Sequence, residues 1–381
     1  MEKTNWIILA AIVCVVLFGL FIGFGSSSTG LFSISDKTVT IGVLLPLSGG
    51  LANYGDEAKN AIQMATDEIN ANGGINGIRL VIDFQDHQCN AQVARSIFEQ
   101  LTSMKGVKVL TSLACSGTAL AITPLLEERG VVYVGTAVST PALSGVSKNF
   151  FRNWALDSTE AELFAEQAQK INLKKMGVVY EETDYAKGLK IAFENKLASY
   201  GIQIVSESFL SNATDIRSQL SKLKELNLDG LFISVQTVAS ADLVLKQMTE
   251  IDFKPKQIFG SDYVLKTNDF IQKYEILEGT IGADFVYDDS PKYATYLEQY
   301  GQKYGYPPLY PNFSAAAYDS IYFLVEAIKE KGYNSEAIAE YLSNKSLDGV
   351  TGEVAFNELH DRANAKYTLF VVKDKKVVLL G

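Results

Sequence analysis

From Thr38 onward the chain alternates between two patterns of apolar and polar positions. A short apolar, β-branched run, "TVTIGVLLP", is followed by a segment in which Ala58, Ala61, Ile62, Ala65 and Ile69 recur at helical spacing, with Asp, Glu, Asn and Gln between them. Asn72-Gly73-Gly74 ends that helix, because glycine accepts the left-handed conformation a helix end often needs. The pairing repeats as "RLVIDFQD" with "AQVARSIFEQLTSM", then "VKVLTS" with a helix near Ala119 to Arg129, then "GVVYVGTA". After Trp154 it restarts: helix Glu160 to Ile171, strand "KMGVVYE", helix Lys187 to Tyr200, strand "IQIVSESF", helix Ile216 to Leu226, strand "GLFISV", helix Ala239 to Glu250 and strand "KQIFGSD". Strands alternating with helices predict parallel sheets covered on both faces. Two such runs predict two doubly wound lobes, which suits a chain of 381 residues.

The C-terminal part breaks the rhythm. Residues 291–345 read as mostly helical and rich in tyrosine, and the tyrosines read as helix-packing residues. The last stretch, "KYTLFVVKDKKVVLLG", reads as a hairpin turning at Asp374-Lys375.

The N-terminus differs from both. Trp6 to Phe24 carries no charge and approaches the ~20 apolar residues that cross a bilayer. A cleaved signal and a retained anchor both fit. The apolar run exceeds a usual signal core, which favours an anchor over residues 1–25 with a linker over 26–37. A lipoprotein fits less well, since Cys14 follows Ala-Ile-Val and not a small residue. All three place the rest of the chain outside the cytoplasm. The net charge of −10 and the lack of a Lys/Arg block exclude nucleic acid as a partner.

Open parallel sheets bind ligands beyond the carboxyl ends of their strands. The loops to watch are therefore Pro46–Gly55, Asp86–Asn90, Leu113–Gly117, Thr136–Ala142, Glu181–Tyr185, Gln236–Val238 and Ser261–Tyr263. Cys89 and Cys115 fall in two of them. An even pair in an oxidising compartment suggests a disulfide, the alternative being two separate buried thiols. Both lie at the same end of one predicted sheet, so a bond of roughly 3 kcal/mol is geometrically reasonable. His87, beside them, reads as a surface residue and not a metal ligand. The chain lacks a Gly-x-Ser-x-Gly elbow, a phosphate loop, Gly-x-Gly-x-x-Gly, His-Glu-x-x-His and Cys-x-x-Cys, which lowers the case for an enzyme and implies no metal or cofactor. What the loops offer instead is hydroxyls, bare backbone, aromatic rings and, at a strand end, the acid Asp262. "ACSGTA" places Ser116 and free N–H groups at a predicted helix start, an anion seat. "GTAVSTPAL" adds Ser139 and Thr140. Helix capping explains the same serines equally well.

"IGVLLPLSGGLANYGDEAKNAIQMATDEINANGGING", "DFQDHQCNAQVA", "LACSGTAL", "TAVSTPAL", "VVYEETDYAKGL" and "IFGSDYV" together resemble the type I periplasmic binding proteins. The likeness is to the leucine/isoleucine/valine-binding branch of ABC-transporter receptors, and it runs from Thr38 to near Lys376. The resemblance implies an α/β fold of two doubly wound parallel-sheet lobes joined by a three-strand hinge, behind an N-terminal apolar helix. It divides the chain into lobe 1 (38–156 and 285–359) and lobe 2 (157–284 and 360–381). It implies an α-carboxylate seat at Ser116, the Ala114 backbone and Ser139. The α-amine would be held by the Ala137 carbonyl, Ser139 and Asp262, with Tyr54 and Tyr185 lining and closing the pocket. It also implies a Cys89–Cys115 disulfide. Relatives carry Glu where Asp262 stands and tyrosine where Gln236 aligns, and both departures admit a larger or more polar ligand than leucine. The implied role is a monomeric extracytoplasmic receptor, tethered by its N-terminal segment, that delivers an amino acid to an ABC permease and its ATPase subunits. Rival readings are a ligand-sensing module for a membrane signalling partner, a receptor for an amide or urea, and a hydrolase on the same fold.

Overall fold

The computed structural model describes residues 37–265, 268–285 and 291–380. The expected N-terminal apolar helix lies outside these residues. Among the described residues no helix is long and apolar enough to cross a membrane.

Two sheets organise the chain. The first holds β1 (Thr38–Leu45), β2 (Arg79–Asp86), β3 (Val109–Leu113), β4 (Val132–Thr136) and β5 (Phe150–Arg152), in the order β2-β1-β3-β4-β5 and parallel throughout. The second holds β6 (Lys175–Glu181), β7 (Gln203–Phe209), β8 (Gly230–Ser234), β9 (Gln257–Gly260) and β10 (Ile281–Phe285), parallel in the order β10-β9-β8-β6-β7. A small hairpin of β11 (Leu347–Gly349) and β12 (Gly352–Val354) stands apart. The chain then adds β13 (Tyr367–Lys373) and β14 (Lys376–Leu379) antiparallel to the β10 edge of the second sheet. Their turn is Asp374-Lys375, both left-handed at φ 51° and 57°, as a tight two-residue hairpin requires.

The strands are apolar because helices cover both faces: β3, β4 and β8 are buried at every position. Within each sheet the strand order reverses once, between β1 and β3 in the first and between β6 and β8 in the second. The crevice outside such a switch point is where an open α/β sheet takes its ligand.

The helix expected near Ala119 to Arg129 is broken. Ser116–Ile122 and Leu126–Arg129 flank a 3-10 turn at Thr123–Leu125. Pro124 lacks the N–H that would carry the helix on. The tyrosines of residues 291–345 largely pack helices together. Tyr296 and Tyr300 are fully buried, and the hydroxyls of Tyr318 and Tyr322 both reach Glu68.

Three crossings join the sheets, after β5, after β10 and before β13. The first and third run side by side, where Arg152 N–H donates to the His360 carbonyl at 2.9 Å. Here the wholly buried Arg152 guanidinium donates to Asp361 Oδ1 (2.8 Å), the Val138 and Thr140 carbonyls (3.0 and 2.7 Å) and Ser144 Oγ (3.2 Å). A buried charge survives only when so fully paired. One side chain thereby fixes both the crossing and the loop that carries Ala137 to Thr140.

Candidate functional site

Both switch points open on the same space. The loops after β1 (Ser48, Gly50, Leu51) and β3 (Cys115, Gly117) face those after β6 (Glu181–Asp184) and β8 (Gln236, Thr237) across a cavity of about 550 Å³. A second, much smaller cavity of about 10 Å³ lies against it, sharing Cys115 and Gln236 as walls. Ala137, Ser139, Trp154, Tyr185, Asp262, Tyr263 and Phe313 complete it. That inner space holds about one water, so the lobes stand closed on each other.

Local sequence explains how each loop is held. Asp86 Oδ1 accepts the Leu47 and Gln88 N–H groups, both at 2.9 Å, tying the β1 and β2 loops together. Gly55 must be glycine, since a Cβ there would lie 2.1 Å from the Pro46 carbonyl oxygen. In the second lobe the loops end in threonine caps. Thr183 accepts from Ala186 N–H (3.1 Å) and Thr237 from Ser240 N–H (3.0 Å). On the first sheet the loops are strained instead. Gln88, Cys89, Ala114, Cys115 and Ala137 all adopt left-handed φ of 50–62°, at about 1–2 kcal/mol each for a residue with a Cβ. Cys89 and Cys115 are disulfide-bonded with Cα atoms 5.3 Å apart, inside the usual range.

His87 corrects the sequence reading. It is wholly buried and not a surface residue, because its loop folds back over the ends of β1 and β3. Its Nδ1 accepts from Cys89 N–H at 3.0 Å, which helps to hold the left-handed cysteine. Burial pushes its pKa down to about 4.

The structure brings five of the expected site residues, Ala137, Ser139, Tyr185, Gln236 and Asp262, to the wall of the inner cavity. Ser116 is buried at the start of its helix, and its Oγ has no hydrogen-bond partner among the described residues. Ala114 precedes it, buried, its own N–H donated to the Thr136 carbonyl. Asp262 is buried as the first residue of the short helix Asp262–Leu265. Tyr54 lies one ring behind the cavity wall. It stacks on Tyr310 at 3.7 Å between centroids and meets Tyr263 and Phe313 edge-on or tilted. Glu57, on the same helix, fixes that partner by accepting the Leu309 and Tyr310 N–H groups at 2.6 and 2.8 Å.

Three residues were not picked out by sequence reasoning: Trp154, Tyr263 and Phe313, which give the cavity its aromatic floor. Tyr263 at least closes a strand-end loop that the sequence marks, Ser261–Tyr263; for Trp154 and Phe313 only the contacts in three dimensions mark them out. Acids dominate the electrostatics around them. The phenol pKa values of Tyr185 and Tyr263 are raised first by burial and next by Asp262, with Asp157 contributing to both.

Asp157, wholly buried beside Ser139, has its carboxyl pushed up to about 7, chiefly by burial. Ser139 and Arg152 pull it down; Asp262 adds to the rise. A carboxyl raised in the folded state contributes stability that is complete below its unfolded value of 3.8 and is lost as pH climbs through about 7. Glu57, also raised to about 7 by burial, acts in the same sense. His87 opposes them only below its ordinary value of 6.5. Between about pH 6.5 and about pH 8 the thermal midpoint of the closed protein is therefore expected to fall, and Asp157→Asn to flatten the fall. Differential scanning calorimetry checks this: a rising midpoint across that window, or an unchanged slope in the variant, contradicts the assignment.

The profile of the periplasmic binding protein family matches residues 38–376. The chain is 27% identical over 347 residues to a Leu/Ile/Val-binding protein homolog 7 of Brucella abortus, covering 86% of each. A leucine-binding protein, LivK, from Thermotoga maritima superposes with a TM-score of 0.79 at 25% identity, over 90% of this chain and 98% of that one. The branched-chain amino acid transporter substrate-binding protein LivJ from Streptococcus pneumoniae, in complex with isoleucine, gives 0.76 at 26%, with the same coverage.

Proposed function

The chain belongs to the type I periplasmic binding proteins, in the leucine/isoleucine/valine-binding branch, and from that premise we propose that it binds an amino acid between its lobes and delivers it to an ABC importer. The family consists of extracytoplasmic substrate-binding receptors, not enzymes. The observation that carries the proposal is the pairing of chemistries at the closed cavity. On the first lobe Ser139 and the left-handed Ala137 reach the wall, and the hydroxyl of Ser116, which follows the wall residue Cys115, is buried with no hydrogen-bond partner among the described residues. On the second, the Asp262 carboxylate reaches the same wall.

A zwitterion satisfies both sides. Its α-carboxylate accepts from the Ser116 and Ser139 hydroxyls. Its α-ammonium donates to Asp262 and the Ala137 carbonyl. Tyr185, Gln236, Trp154 and Phe313 close around the Cα, and Tyr54 supports them from behind. Binding therefore bridges the lobes, and the ligand stabilises the closed state in proportion to its preference for that state. The apolar segment from Trp6 to Phe24 tethers the receptor at the membrane where its permease sits.

A thermal-shift screen of the chain against the proteinogenic amino acids, urea, simple amides and benzoates tests the proposal. Saturating a site at ~100 times Kd adds about 2.7 kcal/mol to stability, so at least one α-amino acid is expected to raise the midpoint by several degrees. A screen in which only non-amino-acid compounds do so overturns it.

A further inference from the structure

The larger cavity has its own chemistry. Of its charged wall residues, Glu181, Glu182 and Asp184 are acids and Lys187 is the one cation. Lys187 is committed to Glu182, with which it forms an ion pair. Glu181 differs from the others in being wholly buried. It ends β6, and its Oε2 accepts the Gln236 N–H at 2.7 Å. Its Oε1 is also buried and has no hydrogen-bond partner among the described residues. A carboxylate oxygen enclosed in a cavity wall without a donor carries an uncompensated desolvation cost. A branched-chain side chain, having no donor, would leave that cost in place.

The two cavities share the Cys115 and Gln236 walls; once the inner one widens to take a ligand's α-groups, the side chain would extend toward the outer one. Glu181 and the Gln236 amide meet it there. We propose that the ligand is an α-amino acid whose side chain ends in a cation, of the lysine, ornithine and arginine class, with its terminal ammonium or guanidinium seated on Glu181 Oε1; this rests on the amino-acid reading above. The cavity's negative wall favours a cation over a neutral amide. The span of about 550 Å³ accommodates a chain of three or four methylenes with its charged end.

Isothermal titration of the full-length chain in detergent, with lysine, ornithine, arginine, norleucine, leucine and 6-aminohexanoate, tests the proposal. Norleucine matches the aliphatic part of lysine but lacks the terminal charge. The expected result is binding of lysine, ornithine or arginine at least ~10-fold tighter than norleucine, a gap of about 1.4 kcal/mol. Glu181→Gln, which keeps an acceptor for Gln236 N–H, is expected to reduce the gap below about 3-fold with norleucine unchanged. Norleucine affinity thus reports whether the variant is folded, and the parent comparison needs no variant. If leucine or norleucine binds the parent as tightly as the basic amino acids do, this proposal fails and the amino-acid reading stands. If 6-aminohexanoate, which lacks the α-amine, binds as tightly as lysine, both fail.

Discussion

Asp262→Asn is expected to weaken amino-acid binding on the order of 10- to 100-fold. A hydrogen bond to a charged group contributes about 1.5–3 kcal/mol net, and each ~1.4 kcal/mol is a decade in Kd. The amide keeps the shape of the carboxylate and one acceptor but not its charge. The effect is larger here than at a surface, because Asp262 is buried and its cavity neighbours Tyr185, Tyr263 and Trp154 exclude water. It is also selective. Des-amino analogues of the ligand, which never engage Asp262, are expected to lose little. Calorimetry on parent and variant with both ligand types decides the matter. Equal affinities of parent and variant for the α-amino acid would remove the amine anchor from Asp262.

How much of this was legible in the sequence depends on the range of the forces involved. The parallel strands could be read because each is a short apolar run buried on both faces, and helix periodicity filled the gaps. The terminal hairpin could be read because Asp374-Lys375 interrupts two β-rich runs. The short strands β5, β11 and β12 could not, since three residues carry no period. Nor could β10, whose partners β9 and β13 come from either side of a long helical excursion. At the site, motif residues such as Ser116 and Asp262 stood out by chemistry. Glu181 did not, because a glutamate at a strand end looks like any other until its burial is seen. His87 misled for the same reason. A lone histidine in a polar loop reads as exposed, and only the fold of that loop over β1 and β3 buries it.

Gly188→Leu is expected to separate stability from binding. Gly188 sits inside the helix Asp184–Ser199, where glycine costs about 0.5–1 kcal/mol against alanine. Something other than helix formation keeps it there. A Cβ at this position would lie 2.6 Å from Thr140 Oγ1 and 3.2 Å from Thr140 Cβ, on the opposing lobe. Thr140 has little room to give way. It is β-branched and buried, and its carbonyl is held by Arg152 at 2.7 Å. The comparable approach at Gly117 ends on Asp184 Oδ2, the tip of an exposed side chain that swings aside at little cost. Leucine at 188 therefore acts as a wedge against closure. Overpacking of this kind costs about 1–3 kcal/mol, charged wholly to the closed state. Affinity falls by the same factor as the closed population, roughly 5- to 150-fold. The open, ligand-free protein pays nothing and gains helix propensity, so its thermal midpoint is expected to hold or rise. Small-angle scattering with saturating ligand completes the test: the parent contracts, while the variant stays expanded until far higher ligand concentration. A variant that binds and contracts like the parent would show that Thr140 and Gly188 do not meet when the lobes close.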